Sequence, residues 1–320
     1  MAGSQQKTEQ TKRTVWIALA ANLAIAVAKA LGGAASGSSA IMAEAAHSLA
    51  DTTNQVFLRI SLSRAERGSD ERHPFGYGQE RFFWAFLAAV FIFVAGSLFS
   101  VFEGVQRLLE PPKESGIAIP LVVLGVAFVA EGISWLRALR QTRGEARERG
   151  VPFSRYIRES RDPTAKTVVF EDSAALIGVL LAAAGVTLDH VTGAHVFDAS
   201  ASIAIGVLLA LVAVTLGRDV KGLLLGEAAL PEEREAMVEA MERNEHVDQV
   251  VELRTMALAP NALLVAVRVD LKDGLDSDGV ERLADELDSE LRDAVPEVAE
   301  VFIDPTAKSE AQRHSHLEPA

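Results

Sequence analysis

The chain has 320 residues, of which 49% are hydrophobic, and its formal net charge is −13. This acidic balance argues against nucleic acid as a partner, because binding to phosphates needs a basic surface. Cysteine is absent. This excludes disulfides and thiolate metal sites, so any bound metal must be held by nitrogen and oxygen ligands.

Length and hydrophobic patterning predict more than one domain. Almost all long apolar runs precede Arg218, whereas from Glu227 onward the chain holds 24 acidic residues against 9 Lys and Arg. The first part is therefore predicted to lie in a lipid bilayer, and the second to form an acidic soluble domain.

Six segments of the first part are long enough to cross the hydrocarbon core of a bilayer, which is ~30 Å thick and requires about 20 residues. They are residues 14–31, 39–62, 82–108, 117–139, 164–188 and 196–216. We predict an all-α transmembrane domain of six helices over residues 14–218. It follows a polar cytoplasmic tail, residues 1–13, that lacks a signal-peptide pattern.

The distribution of basic residues predicts the orientation of these spans. The connection between spans four and five holds nine Lys and Arg residues from Arg137 to Lys166, and basic residues also follow spans two and six. Connections 32–38 and 189–195 have none. We therefore expect both termini in the cytoplasm, with a bacterial inner membrane as the setting.

After a linker at residues 219–230, the soluble part shows alternating helical and strand-like patterns. Helices are predicted at 231–244 and 276–294, and strands at 247–256, 263–271 and 298–303. The order αββαβ predicts a small two-layer, ferredoxin-like α+β domain over residues 231–305 in the cytoplasm. The polar tail from 306 to 320 is predicted to be disordered.

The second span is the least hydrophobic of the six and contains His47 and Asp51. A spacing of four residues puts both side chains on one helix face. Ionisable groups at membrane depth are costly and usually functional. Imidazole and carboxylate together suit a borderline divalent cation, so this pair predicts half of a metal site.

Glu171 and Asp172 lie about eight residues into the apolar fifth span, at a depth that matches the first pair. Adjacent helical residues point in different directions, so Asp172 is the better ligand candidate. Glu171 is a second ligand, a proton carrier or a residue that hydrogen-bonds to the ligands without contacting the metal. We expect no Lys or Arg at this depth to balance the carboxylates, which favours a metal because unpaired buried charge is costly.

Three further residues are accessory candidates. His73, in the sequence His-Pro-Phe-Gly-Tyr-Gly, belongs to a tight cytoplasmic turn or captures and relays metal. Glu131, deep in the fourth span, is a helix-packing or a proton-path residue. His246 is the one imidazole of the soluble part before its tail.

The six spans, the His47–Asp51 pair, the His-Pro-Phe-Gly-Tyr-Gly loop, Asp172 and the acidic αββαβ domain together resemble the cation diffusion facilitators. The resemblance covers residues 14–305. It implies a homodimeric antiporter that exports Zn²⁺ or a related divalent ion in exchange for H⁺. It also implies that the soluble domain serves dimerisation or regulation, with or without bound metal.

In that family a His or Asp usually stands four residues before the position of Asp172, where this chain has Val168. The resemblance is therefore to a divergent branch. Mn²⁺, Fe²⁺, Co²⁺ and Cd²⁺ remain alternatives to Zn²⁺ as cargo, since oxygen-rich sites suit harder ions. No enzymatic cofactor is expected. The alternatives are a non-transporting metal sensor or scaffold of the same fold, and a membrane metallohydrolase, for which no HExxH motif is present.

Overall fold

The computed structural model of the protein describes residues 19–20, 22–110 and 116–306, without the side chains of 164 and 165. The predicted tail of residues 1–13, the start of the first span and the tail beyond residue 306 lie outside the described residues. The described chain forms two compact units. The first ends at Arg64 and resumes from Glu80 to Lys221, and the second comprises Ala65–Gln79 and the residues from Gly222 onward.

Helices make up the first unit. In chain order they are α1 (Asn22–Ser36), α2 (Ser39–Ala65), α3 (Glu80–Phe91), a π-helical segment (Ile92–Leu98), α4 (Phe99–Leu109), α5 (Ala118–Glu148), α6 (Phe153–Glu159), α7 (Pro163–Thr192) and α8 (Val196–Leu224).

Among the described residues, four helical stretches are long and apolar enough to cross a membrane. These are α3 with the π-helical segment and α4, then α5, α7 and α8. Many large apolar side chains on these helices face outward: Val122 and Val126 of α5 and Leu211 of α8 are each more than 60% exposed. An apolar surface of this extent is typical of helices that contact lipid, because its exposure to water would be costly in free energy.

Small residues let the helices of this unit approach closely. A Cβ on Gly104 of α4 would lie 2.8 Å from the carbonyl oxygen of Ala199 and 2.6 Å from Ile203, both on α8. Nearby, the hydroxyl of Ser202 donates to the carbonyl oxygen of Ser100 at 2.7 Å. Glycine at the contact and a hydroxyl bridging two backbones are typical of membrane helix interfaces.

The second unit contains the three-stranded sheet and two helices in the order αββαβ. They are α9 (Pro231–Glu242), β1 (Val247–Ala259), β2 (Ala262–Leu271), α10 (Ser277–Ala294) and β3 (Val298–Pro305). Strand order is β1-β2-β3, with β1 and β2 antiparallel and β2 and β3 parallel. The central strand buries alternate residues, Leu263, Val265, Val267 and Val269.

Helix α10 supplies much of the apolar face that covers this sheet. Leu283, Leu287 and Leu291 recur at a spacing of four residues and are buried, as an amphipathic helix requires. The Asp276 side chain accepts a hydrogen bond from the backbone N–H of Gly279 at 2.8 Å, which caps the start of the helix. The small sheet domain predicted from the sequence is therefore present.

The loop of residues 65–79 belongs to the second unit rather than to the helices it connects. Phe75 packs edge-on against Phe302 of β3, with 6.3 Å between ring centroids. Within the loop, Asp70 accepts hydrogen bonds from the backbone N–H of His73 at 2.7 Å and from the Tyr77 hydroxyl at 2.6 Å. These bonds hold the pKa of Asp70 below its ordinary value, and the Tyr77 bond contributes most.

Candidate metal-binding site

His47 and Asp51 lie on one face of α2, with 3.6 Å between His47 Nε2 and Asp51 Oδ2. His47 is buried. Neither of its ring nitrogens, nor Asp51 Oδ1, has a hydrogen-bond partner in the described part of the chain. Buried polar atoms are nearly always satisfied in folded proteins, so these unpaired atoms are available to a bound cation.

Glu171 and Asp172 of α7 are each held through one carboxyl oxygen by a neighbouring helix. Asn54 of α2 donates to Glu171 Oε2 at 2.5 Å, and Ser134 of α5 donates to Asp172 Oδ2 at 3.0 Å. The second oxygen of Glu171 is buried and has no partner among the described residues. Each carboxyl group therefore keeps an oxygen that is not committed to these two bonds.

A cavity of about 130 Å³ lies where α1, α2, α5 and α7 meet. Asp51, Glu171 and Asp172 all line it, and so does Glu131 of α5. Val168 also lines the cavity, whereas His47 is not among its lining residues. The three carboxyl groups predicted to form one site are thus brought to one cavity, and Glu131 joins them.

The ligand candidates are not arranged as a finished coordination shell. Within the described residues, no three His, Asp or Glu side chains already stand close enough to hold a metal ion together. Glu171 and Asp172 are instead directed to Asn54 and Ser134. A metal ion bound at the cavity would use the carboxyl oxygens that these two bonds leave free, and the side chains would have to draw closer together around it.

One expectation about charge is wrong: a lysine is present at the depth of the acids. Lys29 of α1 is fully buried. Its ammonium contacts Glu44 at 2.9 Å, Ser48 at 2.8 Å and Glu131 at 2.5 Å. Lys29 interrupts an apolar segment of the sequence as His47 does, and an ionisable residue at such a position is a signal of a buried functional or paired charge.

A smaller cavity of about 20 Å³ continues from the site toward one end of the bundle. Asn54, Leu58 and Val168 line both cavities. The smaller one is also lined by Ser61 near the end of α2, and by Arg81 and Pro163 at the starts of α3 and α7. The polar site therefore continues toward the helix ends that the basic connections adjoin.

The beginning of α2, at the other end of the bundle, is tied to α8 by a residue that the sequence did not single out. Asp198 is 1% exposed. Its carboxylate accepts hydrogen bonds from the Ser39 backbone N–H at 2.7 Å, from the Ser39 hydroxyl at 3.0 Å and from the Ser38 hydroxyl at 2.5 Å. Arg107 of α4 lies 3.6 Å away. Asp198 thus caps the site helix from another helix.

The two accessory histidines belong to the second unit. His73 is half-exposed, stacks on Tyr77 with 4.2 Å between ring centroids, and lies 3.4 Å from Asp70. His246 is also about half-exposed, with its Nε2 3.7 Å from a Glu245 oxygen. Neither is among the residues that line the cavity of about 130 Å³. The loop around His73 forms a turn, with Gly76 at a positive φ of 78°.

Comparison with known proteins supplies independent evidence about the family of the chain. The family model for the cation efflux transmembrane domain matches residues 15–225. Metal tolerance protein C4 of Arabidopsis thaliana is 33% identical over 235 residues, 73% of this chain and 51% of that protein. The mitochondrial proton-coupled zinc antiporter SLC30A9 of Homo sapiens is 31% identical over 258 residues, 81% of this chain and 45% of that protein.

A bacterial relative also matches. The magnetosome protein MamB of Magnetospira sp. (strain QH-2) is 26% identical over 211 residues, 66% of each chain. The chain spans about half the length of the Arabidopsis and human relatives. A family model that matches most of the chain, together with membrane-length helices, gives an integral membrane protein that belongs to the cation efflux family, the cation diffusion facilitators.

Proposed function

We propose that the protein exports a divalent transition metal, with Zn²⁺ as the preferred cargo, from the cytoplasm in exchange for protons. The observation that carries this proposal is the cavity lined by Asp51, Glu171, Asp172 and Glu131 inside a helix bundle that includes the membrane-length helices α5 and α7. Carboxyl groups at this depth are costly unless they serve a cation or a proton. His47 adds the nitrogen ligand that favours Zn²⁺.

The relatives support the choice of cargo and of counter-ion. The human relative is named a proton-coupled zinc antiporter, and the plant relative a metal tolerance protein. Cation efflux proteins are transporters, so the metallohydrolase alternative is set aside. Because ligands must be deprotonated to bind metal, metal binding releases protons and proton binding releases metal.

In the mechanism that we propose, metal enters from the cytoplasmic helix ends through the smaller cavity. His47, Asp51 and Asp172 bind it, with Glu171 or water completing the shell. The helices then rearrange by alternating access, and protons on the far side displace the metal. This requires six spans, with α1 and α2 added to the four apolar stretches, and both termini in the cytoplasm of a bacterial cell.

We also propose that the protein works as a homodimer through its soluble domain. Residues 14–218 would form the transport domain, residues 219–230 the linker and residues 231–305 the dimerisation or regulatory domain. Residues 231–305 contain one imidazole, that of His246, so metal binding there is secondary to dimerisation in this proposal.

A second candidate is a metal sensor or scaffold that does not transport. The observation that favours it is the absence of three converging ligand side chains in the described residues, together with Val168 in a position where a ligand is expected. A sensor would bind metal and a partner without moving the metal across a bilayer.

Flux through proteoliposomes distinguishes the two candidates. The full chain is reconstituted with a Zn²⁺ indicator and a pH indicator inside the vesicles, beside His47→Ala, Asp51→Ala and Thr53→Ala. Thr53 is the matched control, because it is partly exposed on the same helix and its hydroxyl donates within that helix, to the carbonyl oxygen of Leu49. Zinc flux coupled to opposite proton flux is expected for wild type and Thr53→Ala. Normal flux in Asp51→Ala would reject the site.

A further inference from the structure

Lys29 uses its whole hydrogen-bonding capacity inside the helix bundle. An ammonium group has three N–H donors and no acceptor. Here the three acceptors are Glu44 Oε2, Ser48 Oγ and Glu131 Oε1, at 2.9, 2.8 and 2.5 Å. They come from α2 and α5, so the lysine of α1 fixes side chains from three helices at one point.

The charges of this cluster do not balance. The single ammonium of Lys29 contacts the carboxyl groups of both Glu44 and Glu131. One carboxylate would be enough to neutralise it. The second oxygen of each, Glu44 Oε1 and Glu131 Oε2, is buried without a hydrogen-bond partner in the described part of the chain. The cluster therefore retains free acceptors that a second cation would satisfy.

The cluster also borders the candidate metal site. Ser48 and Glu131, both bonded to Lys29, line the cavity that Asp51 and Asp172 line. Val168, which lines the same cavity, cannot bind metal. A carboxyl group held at the wall of this cavity can therefore supply a ligand that the site otherwise lacks.

We propose that Lys29 is a positioning residue of the transport site. Its ammonium holds Glu131 at the cavity wall, and the free oxygen of Glu131 serves as a ligand for the divalent cation in place of the one missing at Val168. The inference rests on the proposed transport function and extends it, because it makes the site one of carboxylates from three helices. Such an oxygen-rich shell widens the range of ions toward harder cations such as Mn²⁺.

A double-mutant cycle tests the inference in proteoliposomes. KM and kcat for Zn²⁺ and Mn²⁺ are measured for Lys29→Met, Glu131→Gln and the double variant. Each single variant is expected to raise KM about tenfold, and the double variant to be no worse than either. This non-additivity is the signature of one residue acting through the other. Effects on KM that simply multiply would overturn the proposal.

Two further variants separate positioning from simple charge neutralisation. Lys29→Arg keeps the charge and is expected to recover most of the wild-type KM. Lys29→Met combined with Glu44→Gln removes one charge of each sign, so the cluster keeps its net charge while Glu131 still loses its donor. We expect its KM to remain raised. A wild-type KM in this variant would show that Lys29 only neutralises Glu44, and would refute the proposal.

Separate measurements distinguish variants that fail to fold from variants that fold but fail to transport metal. Size-exclusion profiles and melting temperatures check each variant, and the charge-matched double variant carries the test if Lys29→Met alone does not fold. If the wild-type chain shows no flux, the transport proposal is wrong. Calorimetric Zn²⁺ affinity of the same variants then decides whether Glu131 is a ligand: a tenfold loss in Glu131→Gln supports it, and an unchanged affinity rejects it.

Discussion

Asn54 on α2 donates a hydrogen bond to Glu171 on α7, with 2.5 Å between Nδ2 and Oε2. Asn54 stands three residues after Asp51, on the same helix face. The bond therefore joins the helix that carries His47 and Asp51 to the helix that carries Glu171 and Asp172. A neutral side chain therefore connects the two halves of the candidate site, and this connection does not depend on a bound metal.

Replacing Asn54 by leucine is expected to weaken metal transport by raising KM about tenfold. The change keeps the side-chain size but removes a hydrogen bond to a carboxyl group, and bonds to charged groups contribute about 1.5–3 kcal/mol. Zinc flux at varied Zn²⁺ concentration measures the effect. Gln55→Leu is the control, since Gln55 lines the same cavity and lies next to Asn54. Equal KM values in the two variants would contradict the role given to Asn54.

Local rules were sufficient for the elements that carry the site. The i, i+4 spacing of His47 and Asp51 and the depth of Glu171 and Asp172 single out residues of which three, Asp51, Glu171 and Asp172, line one cavity, whereas His47 lies outside its lining. Alternating and helical patterns also predicted the αββαβ order of the second unit. These features depend on residues close in sequence, whose geometry is fixed by helix and strand periodicity.

Contacts between distant helices could not be predicted in the same way. Asp198 and Ser39 are separated by 159 residues, and a lone acid near the start of a span is more simply explained by exposure to headgroups. The sequence shows that Lys29 lies in an apolar segment. Its hydrogen-bond partners Glu44 and Glu131, however, are determined by how α1, α2 and α5 pack. The assignment of loop 65–79 to the sheet unit likewise requires three-dimensional contacts such as Phe75 with Phe302.

The cap on the start of α2 gives a stability prediction. Asp198→Ala removes the acceptor for the Ser39 N–H and for two hydroxyls, and leaves Arg107 without this neighbour. Loss of a buried acceptor of several donors costs about 1–3 kcal/mol. The melting temperature in detergent should therefore fall by several degrees, since 1 kcal/mol corresponds to about 2–4 °C in domains of about 150–250 residues.

The matched control for that variant is on the same helix. Asp219 of α8 is 43% exposed and pairs with Lys166 at 3.2 Å. Exposed ion pairs contribute about 0–1 kcal/mol, so Asp219→Ala should leave the melting temperature nearly unchanged. A fall of the same size in both variants would contradict the prediction that Asp198 stabilises the fold more than an exposed ion pair does.

The loop of residues 65–79 gives a prediction about pH. Because the pKa of Asp70 is lowered in the folded loop, its contribution to loop order is complete above the ordinary Asp pKa of about 3.9. That contribution is lost as pH falls through the lowered value. Tyr77→Phe removes the largest cause of the shift and should raise the pKa of Asp70 toward its ordinary value.

Carboxyl-carbon NMR of protein labelled at aspartate measures this shift, with Asp70→Asn to assign the resonance. Tyr156→Phe is the control, because Tyr156 bonds Glu145 instead and its loss should leave the Asp70 titration as in wild type. An Asp70 titration that is the same in wild type and Tyr77→Phe would exclude the bond to Tyr77 as the cause.

Val168→His is expected to make the site more selective for Zn²⁺. Val168 lines the cavity with Asp172, and a histidine at this position would stand four residues before that proposed ligand, on the same helix face. Imidazole favours Zn²⁺ over Mn²⁺, which prefers oxygen ligands, so the ratio of Zn²⁺ to Mn²⁺ transport efficiency should rise about tenfold. Flux across a panel of metals measures it. Val169→His, one residue along and not among the cavity-lining residues, should leave the ratio unchanged; an equal rise in both variants would place the effect outside the cavity.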